Sequence, residues 1–105
     1  MDKRSLEIAR QLKIEIEKDL NVTDMRIFGS RARDDFEEDS DLDVYIELEN
    51  NSSEIEDKIF HIVWKIGFEN ELVITTIIFT RDELENGPMK FSPIYRNIMR
   101  EGVTV

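Results

Sequence analysis

Residues 41–49 constrain this chain most. Leu42, Val44, Ile46 and Leu48 alternate there with Asp41, Asp43, Tyr45 and Glu47. Successive side chains of a strand point to opposite faces, so the aliphatic set must enter a core and the second set must look elsewhere. The pattern predicts a strand over 41–49 whose second face borders a partly open site. Asp41 and Asp43 share that face about 6.6 Å apart along the chain, so both carboxylates reach one divalent ion or a close pair of ions. Glu47 lies about 13 Å from Asp43 along the same strand, too far to join them.

Just upstream stands Gly29-Ser30-Arg31-Ala32-Arg33, with ten residues between Ser30 and Asp41. Met25-Arg26-Ile27-Phe28 reads as a short strand that delivers the chain to Gly29. Glycine lets the backbone approach a bound group closely, and the free amides of a helix start attract phosphate oxygens. Ser30 is expected to cap a helical turn through Arg33, and 34–39 to form an acidic loop. A phosphate-binding turn facing a metal-binding pair is the minimum equipment for phosphoryl or nucleotidyl transfer.

The remaining pattern alternates helices and strands. Leu6, Ala9, Leu12, Ile16 and Leu20 recur at helical spacing, which predicts a helix over 3–20 capped by Asp2. Ile8 and Ile14 widen its apolar stripe. Asn21-Val22-Thr23-Asp24 reads as a turn. Ser53-Glu54-Ile55-Glu56 fits a capping box that opens a helix to about Phe68, with Ile55, Ile59, Ile62, Val63 and Ile66 inward. Phe60, Trp64 and Phe68 fall on or near that stripe and are expected in the core. A β-branched third strand is predicted over 71–79. Thr80-Arg81-Asp82-Glu83 starts a short helix that ends before Gly87-Pro88, and a last helix runs from Ser92-Pro93 to Gly102. This order predicts an α/β (α+β) sheet flanked by helices.

The whole of 1–105 is expected to be a single domain, with room for a core and none for a separate substrate lobe. The formal net charge is −10, which argues against nonspecific nucleic-acid binding and suits a chain that gathers divalent cations or meets a basic partner. No apolar run reaches the roughly 20 residues that span a membrane, and no signal-peptide pattern is present. Cysteine is absent, which excludes thiolate chemistry and fits a cytoplasmic location.

From Gly29 to Asp43 the sequence resembles the minimal nucleotidyltransferases of the DNA polymerase β superfamily, whose signature is Gly-Ser, ten residues, then Asp-x-Asp. The resemblance continues through Thr80-Arg81-Asp82-Glu83-Leu84, Ser92-Pro93-Ile94-Tyr95-Arg96-Asn97-Ile98 and Arg100-Glu101-Gly102, so it covers nearly the whole chain. It implies a nucleotidyltransferase fold, a mixed sheet flanked by helices that binds a nucleoside triphosphate, expected to be ATP, with Mg²⁺. Carried over, Gly29 and Ser30 hold phosphates, and Asp41 and Asp43 hold two metal ions. Short members commonly sit beside a HEPN-domain toxin as its antitoxin, and some transfer AMP to a tyrosine of that toxin.

Two positions depart from the pattern. Asp34 stands where many relatives have glycine. Val73 falls where active members carry a third carboxylate on the third strand, often the base for the attacking hydroxyl; Glu71, two residues away on the same expected strand face, is the candidate substitute. Arg31 and Arg33 either neutralise triphosphate charge or pair with Asp34, Asp35 or Glu37. Tyr45 either contacts nucleotide or partner or simply packs, and His61 is read as an ordinary helical residue. Two functions follow. The first is a Mg²⁺-dependent transferase moving a nucleoside monophosphate, AMP from ATP, onto a protein hydroxyl, with Asp41, Asp43 and Glu71 as catalytic carboxylates. The alternative is a catalytically impaired antitoxin that neutralises its partner by contact.

Overall fold

Leu42, Val44, Ile46 and Leu48 are all buried in the computed structural model, which describes residues 1–105. Their strand, β2 (Leu42–Leu48), is a central member of a four-stranded sheet ordered β3-β2-β1-β4. It runs antiparallel to β1 (Val22–Phe28) and parallel to β3 (Ile74–Thr80), while the two-residue β4 (Val103–Thr104) pairs antiparallel with β1. The sheet is therefore mixed, as expected.

Two helices cover the aliphatic face of β2. From α1 (Lys3–Glu17) come Ile8, Ala9, Leu12 and Ile16; from α3 (Ser53–Glu69) come Ile59, Val63 and Ile66. Each such side chain contributes about 1.5–3 kcal/mol by leaving water. On the other face Tyr45, Phe79, Leu84 and Ile98 form a smaller cluster, closed by α4 (Arg81–Asn86) and α5 (Pro93–Glu101). Between those helices Pro88–Phe91 makes a 3-10 turn.

Several boundaries differ from the sequence reading. Helix α1 stops at Glu17, and Ile14 is exposed because only the Ile8–Leu12–Ile16 side meets the sheet. Residues 22–24 are strand rather than turn: a bulge absorbs the irregular register, and Thr23 Oγ1 donates to Glu47 Oε2 at 2.6 Å. The cap of α3 is Ser52, whose Oγ accepts from the Ile55 amide at 3.2 Å, so Ser53 is the first helical residue.

The third strand begins at Ile74, three residues later than expected. The end of α3 takes up the difference. The Glu71 amide donates to Phe68 O and the Leu72 amide to Gly67 O, with Glu71 in the left-handed region at φ 54°. That wrap satisfies the last helical carbonyls and keeps Glu71 out of the sheet. Phe60, Trp64 and Phe68, expected in the core, project outward instead. No helix is long and apolar enough to cross a membrane.

Candidate active site

The site lies where β1 hands the chain to α2 (Ser30–Arg33), beside the start of β2. Antiparallel register sets Phe28 opposite Asp43. Gly29 follows with φ 74°, a conformation that side chains disfavour. Space excludes a side chain as well, since a Cβ at Gly29 would overlap Asp43 Oδ2. Glycine at this position thus brings the turn's backbone against one of the two paired carboxylates.

Helix α2 is one turn long. Gly29 O accepts from the Ala32 and Arg33 amides at 3.1 and 3.2 Å, which leaves the Ser30 and Arg31 amides as the first donors of the turn, without intrahelical acceptors. Gly29 occupies the cap position, and no side chain caps the turn; Ser30 is its first residue rather than its cap, as the sequence reading had it. The turn ends at Asp34, in the left-handed region at φ 61°. A glycine would sit there without strain.

Parallel register sets Thr75 of β3 beside Asp43, and Thr75 Oγ1 donates to Asp43 Oδ1. This residue was missed in the sequence; its signal is positional, a strand hydroxyl in register with the second aspartate. Asp41 is exposed, just ahead of β2, and the Leu42 amide bonds Val73 O at 2.9 Å, so Val73 borders Asp41 while Thr75 borders Asp43. Glu71 is absent from this arrangement. It sits in the turn after α3 and lines a groove with Trp64 and Phe68, so the expected shared strand face with Val73 does not exist.

Arg31 is only 2% exposed and is turned into the fold. Its guanidinium donates to Ser40 O at 2.8 and 3.0 Å, to Glu38 O at 3.1 Å and to Ser5 Oγ at 3.0 Å, and it lies over the Phe36 ring at 4.6 Å. It clamps the acidic loop and the residue preceding Asp41. Arg33 is exposed and paired with Asp35 at 3.2 Å and Glu101 at 3.4 Å. Both arginines therefore have acceptors of their own within the chain.

Tyr45, two residues beyond Asp43 on the same face, is fully buried and packs edge-on to Phe79 and Tyr95. Burial, with the neighbouring Glu47 carboxylate, pushes its phenol well above the usual value, so it stays protonated and donates to Glu47 Oε1 at 2.9 Å. Tyr45 closes the inner end of the face and touches no open site. His61 is exposed on α3.

The residues fit a divalent cation of oxygen-ligand type. Asp41 and Asp43 offer hard carboxylate oxygens on one edge, the pattern in which one or two carboxylates and substrate phosphates share such an ion. They do not make an all-protein cage: the chain brings no group of three or more acidic, histidine or cysteine side chains together in metal-binding geometry.

The family model described as the nucleotidyltransferase domain matches residues 8–105. Domains of this family generally use divalent metals. Two solved structures are similar in fold. One is a candidate minimal nucleotidyltransferase, with TM-score 0.65 and 19% identity over 100% of this chain and 97% of that one. The other, a candidate nucleotidyltransferase from Sulfolobus solfataricus, has TM-score 0.60 and 20% identity over 96% of this chain and 78% of that one. No curated protein sequence matches.

Proposed function

This chain belongs to the nucleotidyltransferase domain family, and on that premise we propose that it binds ATP with Mg²⁺ and moves AMP onto a hydroxyl of a partner protein. The observation supporting this reading is the contact of the Gly29 backbone with the Asp43 carboxylate, which brings the turn after β1 against one of the two aspartates read as metal ligands. The Ser30 and Arg31 amides donate to phosphate oxygens, and Asp41 and Asp43 hold the metal. Mg²⁺ there supplies positive charge against the triphosphate and the departing pyrophosphate. The acceptor oxygen bonds to the α-phosphorus as its bond to the pyrophosphate oxygen breaks.

With Thr75 beside Asp43 and Glu71 in a separate turn, the acceptor's proton has only Asp41, Asp43 or water to receive it. Transfer is therefore slow relative to binding. The partner is a HEPN-domain toxin, for which this chain is the cytoplasmic antitoxin. Calorimetric titration with ATP and Mg²⁺ tests the reading: saturable binding is expected, and Asp43→Asn is expected to abolish it. Binding that survives the substitution would sink it.

Val73 beside Asp41, where a third carboxylate is expected, with Thr75 beside Asp43, favours a second reading, neutralisation by contact alone. Replacing Asp41 and Asp43 together separates the two. A complex that stays neutralised after the double replacement supports contact; one that regains toxicity supports transfer.

A further inference from the structure

Phe60, Trp64 and Phe68 recur every fourth residue along α3 and stand out from it, 71%, 63% and 72% exposed. The Trp64 and Phe68 rings stack with centroids 5.4 Å apart. Together with Leu72 and the exposed Val73 they wall a groove of about 650 Å³ between α3 and the approach to β3. Soluble chains rarely leave several large apolar side chains in one exposed patch without a partner. The stripe covers about 12 Å of helix, the length over which a second helix laid alongside interdigitates for two turns.

Carboxylates rim this groove. Glu38, Asp39 and Glu71 line it, and no lysine or arginine does. The left-handed turn that fastens the end of α3 also holds Glu71 at the rim. A second copy of the chain would bring another net charge of −10 and the same three carboxylates against an identical set, so charge opposes self-association. An apolar floor framed by acid is complementary to a segment that is apolar on one side and basic at its margins.

We propose that this groove docks an amphipathic helix of a partner protein, with lysine or arginine flanking its apolar face. The groove meets the candidate active site at its rim, where Val73 borders Asp41, but its aromatic floor lies elsewhere. Helix α3 packs on the Leu42 face of the sheet, whereas Asp43 and Thr75 meet on the other. The aromatic stripe that carries the docking argument is therefore on the face of the sheet opposite Asp43 and Thr75.

Trp64 is the sole tryptophan, so its emission reports on the groove directly. The test titrates the full chain with a synthetic leucine–lysine peptide patterned as an amphipathic helix, beside the same peptide with glutamate in place of lysine. The lysine peptide is expected to shift Trp64 emission to the blue, with binding that weakens as salt is raised, and the glutamate peptide to give no shift. Phe68→Asp, at an exposed position and checked for folding by circular dichroism, is expected to weaken binding by about tenfold or more. Three results would overturn the proposal: no shift with the lysine peptide, equal shifts with both peptides, or a shift without peptide that grows with chain concentration as a dimer forms in the ultracentrifuge.

Discussion

The backbone of Gly29 and the carboxylate of Asp43 occupy one point of the fold, so that a Cβ on the first would overlap Oδ2 of the second. This contact brings together two short motifs that are separated in sequence. Its consequence is that the smallest change at position 29 acts on both motifs together.

Gly29→Ala is accordingly expected to lose ATP binding and to lower stability by about 1–3 kcal/mol, because a side chain there is strained in conformation as well as in space. Urea denaturation beside calorimetric titration checks both parts. Wild-type affinity in a stably folded variant would show that the turn and the carboxylate do not act together.

Thr75 gives a prediction of opposite sign. It stands in register with Asp43, two residues on from Val73, so a carboxylate placed there would join Asp43 directly. Thr75→Asp is expected to speed metal-dependent AMP transfer by about 10²-fold or more, the scale of a positioned general base. Thr75→Val is expected to leave transfer no faster while freeing Asp43 to rotate, with weaker metal affinity. Single-turnover assays with labelled ATP distinguish these outcomes.

Arg31 is expected to act on the site through the loop. Arg31→Met leaves the Ser40 and Glu38 carbonyls without their donor and should cost about 3 kcal/mol or more. Arg31→Lys should recover less than half of that loss, because an ammonium cannot reproduce a forked set of donors. Denaturation midpoints measure the cost. ATP titration of the lysine variant shows whether Asp41 is still held in place.

Asp2 links stability to pH. Its burial opposes ionisation, but the hydrogen bonds from Ser5 and the charge of Arg31 outweigh this and hold its carboxyl below the ordinary 3.8. A depressed folded value means that the cap's contribution is fully present above 3.8 and is lost as pH falls through the lower folded value. Asp2→Ala is therefore expected to cost about 1 kcal/mol near neutrality, and the gap to the wild type should close in strong acid. A gap that persists at the lowest pH at which both chains fold would contradict this assignment.

Much of the fold was legible because burial and chain geometry write directly into the sequence. The alternation Leu42, Val44, Ile46, Leu48 could satisfy one arrangement only, a strand with one face in a core, and all four are buried. The Asp2 cap, the Thr80–Glu83 capping box and the Ser92-Pro93 helix start are local devices within four residues, and each is present as read. Strand β4 was not legible, since two residues carry no period.

The errors have a common cause. Helical spacing placed Phe60, Trp64 and Phe68 near the inward stripe of α3, yet only a sheet's width decides how much of a helix is covered, and β3 is the last strand on that side. The acceptors of Arg31 were not legible either, because local sequence shows its charge and not its partners. Those acceptors come from Ser5, Glu38 and Ser40, and the partner from α1 is 26 positions away. Glu71 looked like a strand residue until the wrap at the end of α3 claimed it.

By itself, then, the sequence determined the core face of β2, the turn that leaves β1 and the family to which both belong, because periodicity and motif spacing are properties of adjacent residues. The tertiary structure alone decided that Gly29 touches Asp43, that Thr75 rather than Glu71 stands beside it, and that an aromatic face of α3 remains open. Those are matters of register and coverage, set when distant segments pack, and no local stretch of chain contains them.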